Sequence, residues 1–354
     1  MNLLYYIPHR LLNDPTVELA PVARSFLKMF NPWISMSDRT GVLDIPGVPL
    51  LNNSPVPERG RNVLTFEACS YNRIDEILST FENSNKKNLV ILYSGGIDST
   101  LIVALLVAHP RWASVKDKVL LAFNEDSQLE NPDFFREFIL PNFGHNLISS
   151  NNFYAIINNT DNICITGECA DNLFGSLTLK SYMDFSGDYK SIHTPWETES
   201  LIWLLDKAPD HRDEREQMLY DLVNASPVPI ETNHDFLWWL NYAMKWQAVK
   251  YRMSMHAPTA EQAEYMAANV VNFFDSEDYQ RWALYTTEEK VGGKWNSYKL
   301  PAKKLINDIW PNQKYLRYKT KWPSLPTITR YNNAWGYLWQ DENGKLTATK
   351  NYNS

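Results

Sequence analysis

The fold is decided by the stretch Asn88-Leu89-Val90-Ile91-Leu92-Tyr93-Ser94-Gly95-Gly96-Ile97-Asp98-Ser99-Thr100. Its apolar run from Leu89 to Leu92 has the length of a strand that is covered on both faces. After the two glycines, an apolar segment that stops at Pro110 predicts a buried helix from Ser99 to about His109. The stretch therefore predicts a strand, a tight glycine turn and a buried helix in direct succession.

The same pattern continues downstream. Val119–Phe123 and Ile163–Ile165 are further apolar runs of strand length, and Phe134–Leu140 between them favours a helix. Strands that alternate with helices predict an α/β fold with a doubly wound parallel sheet. Helical periodicity then marks residues 197–206, 212–224, 232–250, 257–272 and 276–286.

We therefore expect four segments along the chain. Residues 1–85 form a mixed N-terminal segment, residues 86–180 the α/β core, and residues 181–330 a mainly helical addition. Residues 331–354 form a tail in which Asn343-Gly344, flanked by apolar residues, predicts a hairpin.

Composition narrows the class of protein. The chain has 354 residues with 34 Lys and Arg against 41 Asp and Glu, a net charge of -7 that argues against general nucleic-acid binding. Its 3 cysteines include no CxxC pair, so we expect free thiols in a reducing cytoplasm. The longest apolar run, Leu101 to Ala108, is too short to span a bilayer, and no signal peptide is recognisable, so we expect no membrane association.

The glycine turn predicts a phosphate cradle. Glycines at 95 and 96 let the backbone approach an anion closely, and the following helix directs its free N–H groups and positive dipole end at it. Ser94, Ser99 and Thr100 add hydroxyl groups. Asp98 cannot attract phosphate, so we expect it to bind the accompanying Mg²⁺. The alternative interpretation is an ordinary turn between a strand and a helix.

A second motif follows the Ile163–Ile165 strand: Thr166-Gly167-Glu168-Cys169-Ala170-Asp171-Asn172-Leu173-Phe174-Gly175-Ser176. In an open parallel sheet, ligands bind at the carboxyl ends of strands. Asp98 and Asp171 would both lie at such ends, and two carboxylates near a polyphosphate favour a Mg²⁺ between them. The alternative interpretation is an acidic helix start in which Glu168 and Asp171 only favour the helix dipole.

These two motifs resemble those of a known family. SGGIDST is similar to the PP-loop of the N-type ATP pyrophosphatases. GECADNLFGS looks like the GEGADELFGG motif of asparagine synthetases, whose relatives include β-lactam synthetases and lasso-peptide macrolactam cyclases. Val270–Asp275 more weakly resembles the family's R-x-P-F-L-D stretch, and Arg317–Trp322 its R-x-K-x-x-F stretch. The resemblance implies an adenine nucleotide alpha hydrolase-like fold.

The resemblance also implies an activity. In that family a carboxylate attacks the α-phosphate of ATP to give an acyl-adenylate and pyrophosphate, and an amine or ammonia then displaces AMP. Asp98 and Asp171 would bind Mg²⁺, and Glu168 would lie near the amine or the intermediate. Lys319 would neutralise developing charge, assisted by Lys299. The residues expected to hold the nucleotide are Ser94, Gly95, Gly96, Asp98, Ser99, Thr100 and Gly167.

The chain departs from the family's pattern at several positions. Cys169 and Ser176 replace glycines, and Asn172 replaces a glutamate, which puts the identity of the amine in doubt. In the weaker stretch, Val270 replaces an arginine and Asn272 a proline.

Three hypotheses remain open at this level. The first is an amide ligase that lacks its own glutaminase, because position 2 is Asn2 and no cysteine precedes Cys69. Such an enzyme takes a small-molecule carboxylate and an amine, from the substrate itself or from a separate ammonia source. The second is a PP-loop enzyme that modifies a nucleobase, and the third is a nucleotide-binding pseudo-enzyme.

Overall fold

The structure is a computed structural model. It describes residues 1–30, 35–43, 48–58, 60, 63–187, 189–286, 290, 298–320 and 335–352, with the backbone alone for residues 176–178, 180, 189 and 190. Lys321 and Trp322, the last two residues of the Arg317–Trp322 stretch, lie outside the described residues.

The described strands are β1 (Asn2–Tyr6), β2 (Asn88–Leu92), β3 (Val119–Phe123), β4 (Leu147–Ser149), β5 (Asn162–Thr166), β6 (Val271–Asn272), β7 (Tyr337–Gln340) and β8 (Leu346–Thr349). The described α-helices are α1 (Pro8–Asn13), α2 (Pro21–Met29), α3 (Phe66–Glu82), α4 (Ile97–Ala108), α5 (Trp112–Val115), α6 (Glu125–Glu130), α7 (Pro132–Phe134), α8 (Leu140–Phe143), α9 (Phe153–Ile157), α10 (Ala170–Phe174), α11 (Ser176–Ser186), α12 (Ser200–Leu205), α13 (Arg212–Asn224), α14 (Asn233–Arg252), α15 (Ala260–Asn269), α16 (Glu277–Tyr285), α17 (Leu300–Ile309) and α18 (Gln313–Tyr318).

The chain forms two compact units, each built from segments that are far apart in the sequence. The parallel unit comprises Gly60–Ala170 and Ala268–Arg330. The antiparallel unit comprises Met1–Arg59, Asp171–Ala267 and Tyr331–Ser354.

The parallel unit contains a five-stranded sheet in the order β4-β3-β2-β5-β6, and every pair in it is parallel. After β2 the chain adds strands on one side, and from β5 onward it adds them on the other side of β2. The order therefore reverses between β2 and β5, which is where open α/β sheets bind ligands. This confirms an α/β fold with a parallel sheet.

The strands predicted from apolar runs are present, and α4 is buried on all sides, as its composition indicated. Two strands of the parallel sheet were not predicted, because β4 has three residues and β6 has two. The helix expected over residues 257–272 ends at Asn269, and Val271–Asn272 is a strand beside β5. Within the helix expected at Phe134–Leu140, Phe135–Ile139 forms a π-helix.

The antiparallel unit contains a three-stranded sheet in the order β1-β7-β8. The tail forms the predicted hairpin, with Gly344 at a φ of +81°. In α14, Trp238, Trp239, Tyr242 and Trp246 are fully buried, so this aromatic row is core packing. Among the described helices, none combines the length and apolar character that a bilayer crossing requires.

Candidate functional site

The turn between β2 and α4 requires glycine for two independent reasons. Gly95 has a φ of +77°, which side chains rarely adopt. A Cβ at this position would also lie 2.3 Å from the carbonyl oxygen of Ser127 and 2.9 Å from the Cβ of Glu130. Since α6 packs directly on the turn, no side chain fits at position 95.

Hydroxyl groups hold the shape of this turn. Ser94 Oγ lies 3.1 Å from Ser99 Oγ and accepts from the N–H of Gly96 at 3.3 Å. Ser99 Oγ also accepts from the N–H of Ser94 at 3.2 Å. Ser94 is exposed while Ser99 is buried, so Ser94 is the hydroxyl that an external anion reaches first.

Thr100, the third hydroxyl expected at the cradle, is fully buried. Its N–H donates to the carbonyl of Gly96 at 3.0 Å, and its hydroxyl lies beside those of Tyr93 and Tyr315. Burial raises the pKa of both tyrosines, so the three hydroxyls are neutral.

The end of β5 approaches the start of α4 closely. A Cβ on Gly167 would lie 2.9 Å from the Cβ of Asp98, so only glycine allows this approach. The side chain of Thr166 donates to Asn272 Oδ1 at 2.9 Å, and its oxygen accepts from the N–H of Glu168 at 3.1 Å. The Val270–Asp275 stretch therefore lies beside the second motif, at the same end of the sheet.

Asp98 and Lys299 form an ion pair in which the lysine is almost completely buried. Lys299 Nζ donates to Asp98 Oδ1 at 2.6 Å and to Oδ2 at 2.5 Å, with the lysine side chain 1% exposed and the aspartate 23%. Burial lowers the pKa of Lys299, while the carboxylates of Asp98, Glu168 and Glu130 act in the opposite direction. Lys299 thus lies within electrostatic range of three carboxylates of this unit.

Lys319 is held by a residue that the motifs did not single out. Its Nζ donates to Glu130 Oε1 at 3.0 Å and to the carbonyl oxygen of Glu130 at 3.1 Å. The two side chains are 9% and 11% exposed. Burial raises the pKa of Glu130, as does the Asp98 charge, and the Lys319 and Lys299 charges oppose this. The available sequence signal was the segment Glu125–Glu130, which contains three acidic residues and begins two residues after the end of β3.

A third lysine, Lys303, lies next to this pair. It is fully buried, and its Nζ donates to the carbonyl oxygen of Lys319 at 3.3 Å. Burial lowers the pKa of Lys303 to about 8. Lys303 therefore supports the backbone that carries Lys319.

Backbone strain is concentrated at the same place. Within the described residues, non-glycine residues with positive φ are Cys169 at 71°, His211 at 55° and Lys299 at 57°. Two of the three belong to the site, and such conformations persist where the surrounding structure enforces them. Cys169, which stands where the family motif has glycine, thus occupies a backbone conformation that favours glycine.

Asp171 and Asn172 belong to the antiparallel unit, where α10 carries them. Asn241 donates to the carbonyl oxygen of Asp171 at 3.2 Å and to Asn172 Oδ1 at 3.4 Å. Asn172 is fully buried. The pairing of Asp98 with Asp171 around Mg²⁺ stays a prediction.

No protein-family model matches the chain, and no curated protein matches it at a significant level. The resemblance to asparagine synthetases therefore depends on the two motifs.

Proposed function

We propose that the chain is an adenylate-forming ligase of the asparagine-synthetase type, with an adenine nucleotide alpha hydrolase-like core. It would bind ATP at the glycine turn and join a small-molecule carboxylate to an amine. One observation carries the proposal: the Lys299 and Lys319 ammonium groups are both held at the strand ends beside a turn that excludes side chains. Backbone N–H groups, a helix N-terminus and buried cations together suit a polyphosphate.

In the proposed reaction, an oxygen of the substrate carboxylate attacks the α-phosphorus of ATP, and the bond to the β-phosphate oxygen breaks. Negative charge then grows on the leaving pyrophosphate. Lys319 and Lys299 would neutralise it, and the Ser94 hydroxyl would donate a hydrogen bond to it. The amine subsequently attacks the acyl carbon and AMP leaves, while the amine proton passes to a base, for which Glu168 is the candidate.

Magnesium would be held by Asp98 and by Asp171. Bound there, the ion would neutralise phosphate charge. Carboxylate oxygens are the ligands that Mg²⁺ prefers, and each Asp98 oxygen has a second lone pair beyond the one that Lys299 uses.

The amine would come from free ammonia, a separate glutaminase or the substrate itself. The three cysteines are buried, and burial raises the pKa of Cys69 and Cys164 to about 12. A protonated, inaccessible thiol cannot serve as the nucleophile that releases ammonia from glutamine.

Two measurements test the proposal. Thermal-shift titration with ATP, AMP and pyrophosphate, with and without Mg²⁺, tests binding. A pyrophosphate-release screen over amino acids, peptides and modified nucleosides then tests turnover. Release with an amino acid or peptide supports the ligase, and release only with a nucleoside supports nucleobase modification. Binding without release supports a pseudo-enzyme, and the absence of binding rejects all three.

A further inference from the structure

Glu130 contacts Lys319 through two different oxygens. Lys319 Nζ is 3.0 Å from the side-chain Oε1 and 3.1 Å from the backbone oxygen of the same residue. Glu130 is the last residue of α6, so its carbonyl is one of the helix-end acceptors that lack an intrahelical donor. The lysine therefore satisfies a helix end and a buried carboxylate at once, and its ammonium group has a fixed position.

The Lys319 ammonium group is held beside the Gly95–Gly96 turn. The Cβ of Glu130 lies 2.9 Å from where a Cβ of Gly95 would be, and Oε1 lies 3.6 Å from where a Cβ of Gly96 would be. The carboxylate thus lies against the backbone that the proposed function assigns to the phosphates. A polyphosphate bound at the turn would therefore lie near both the Lys319 ammonium group and the Glu130 carboxylate that neutralises it.

This arrangement has an electrostatic consequence. A lone buried lysine would attract a bound polyphosphate before and during the reaction, whereas a lysine paired at 3.0 Å presents little net charge. An interaction that is equally strong in the ground state and the transition state does not accelerate the chemical step. Pairing with Glu130 reduces the attraction between the lysine and a bound polyphosphate while it holds the ammonium group at the turn.

We propose that Glu130 is a positioning residue that fixes the Lys319 ammonium group at the Gly95–Gly96 turn and cancels its charge toward bound pyrophosphate. This inference rests on the proposed function. It concerns affinity for Mg²⁺–pyrophosphate, which can be measured without knowing the carboxylate substrate.

The test is isothermal titration of the full chain with Mg²⁺–pyrophosphate. Glu130→Gln keeps both hydrogen-bond acceptors and removes the charge, and is expected to bind roughly tenfold more tightly than wild type. Lys319→Ala leaves the carboxylate uncompensated and is expected to bind about tenfold more weakly. The double variant removes both charges and is expected to return to within about threefold of wild type.

Two controls separate charge from structure. Glu130→Asp keeps the charge and is expected to bind within about twofold of wild type. Glu137→Gln disrupts an exposed pair with Arg136 at 2.8 Å and is expected to leave affinity unchanged. A Glu130→Gln protein that binds as wild type does, or more weakly, overturns this inference alone. A wild-type protein that does not bind Mg²⁺–pyrophosphate overturns the proposed function and this inference with it.

Discussion

The two units bury positive charge in different ways. In the antiparallel unit, Arg215 is fully buried and donates to the carbonyl oxygens of Leu205 at 3.2 Å, of Asp210 at 2.9 Å and of Ala208. In the parallel unit, Lys299 and Lys319 are paired instead with side-chain carboxylates.

The difference in partner indicates a difference in role. Backbone carbonyls are fixed by the fold, so no ligand replaces them, and the guanidinium of Arg215 joins α12 to the loop before α13. A lysine–carboxylate pair can exchange its partner for a phosphate or a metal ion. We infer that Arg215 serves stability and that Lys299 and Lys319 serve ligand chemistry. The predictions below test this comparison.

The largest expected effect belongs to Asp98→Asn. The amide cannot bind a cation as a carboxylate does, and Lys299 loses its charged partner. We expect pyrophosphate release to slow by about 3–4 kcal/mol in transition-state free energy, a factor of about a hundred or more. A coupled pyrophosphate assay measures this rate. Asp133→Asn, which disrupts an exposed pair with Arg136, is the matched control and should keep the wild-type rate. Near-wild-type turnover of Asp98→Asn would contradict the metal site.

Arg215→Met is the corresponding test in the antiparallel unit. It leaves three carbonyl oxygens without their donor, so the free energy of unfolding should fall by about 3 kcal/mol. Affinity for Mg²⁺–pyrophosphate in the folded protein should not change. Denaturant unfolding and calorimetric titration measure the two quantities. Arg212→Met, which removes an exposed pair with Asp206, should cost less than about 0.5 kcal/mol. A loss of affinity in Arg215→Met would remove the distinction between the units.

The two lysines should differ from each other in turnover. Lys319→Ala should raise the activation free energy by about 2 kcal/mol, which lowers kcat. The fold-decrease in kcat should exceed the fold-increase in the KM for ATP. Lys299→Ala should show the same pattern to a smaller degree, because Lys299 is proposed only to assist Lys319. Steady-state kinetics with ATP and the substrate found in the screen separate kcat from KM. A rise in KM at constant kcat would show that the lysines contact only the ground state.

The stability cost of replacing a glycine can be compared between the two units. Gly187, after α11, has a φ of +66° and no described atom within 4 Å of a Cβ, so Gly187→Ala should cost only the conformational strain of about 1 kcal/mol. Gly95→Ala adds a clash with Ser127 and should cost about 1 kcal/mol more than that. Chemical denaturation of both variants gives the difference. Equal costs would mean that α6 moves freely away from the turn.

The sequence predicts those structural elements that depend on residues close to one another along the chain. The apolar runs predicted β2, β3 and β5, and the glycine pair predicted the turn and the start of α4. Pairings across long separations were not predictable, since Lys319 and Glu130 are 189 residues apart and Lys299 and Asp98 are 201 apart. Short elements were missed for another reason: the two residues of β6 are too few for a periodic pattern, and their strand conformation comes from pairing with β5.

The smallest expected effect is a pH dependence at Lys303. Burial lowers its pKa from 10.5 to about 8, so in the folded protein it releases its proton at lower pH than in the unfolded chain. Between about pH 8 and 10.5 the unfolded chain binds more protons, and the contribution of Lys303 to the free energy of unfolding rises with pH. Below pH 8 the charged group carries its full burial cost.

Lys303→Met removes this titration. Its unfolding free energy relative to wild type should therefore be highest near pH 7 and should decrease by on the order of 1 kcal/mol by pH 9.5. Lys304→Met, at an exposed neighbouring position, is the matched control and should follow the wild-type pH profile. Denaturant unfolding at both pH values measures the two differences. A difference for Lys303→Met that does not depend on pH would mean that Lys303 keeps its proton throughout this range.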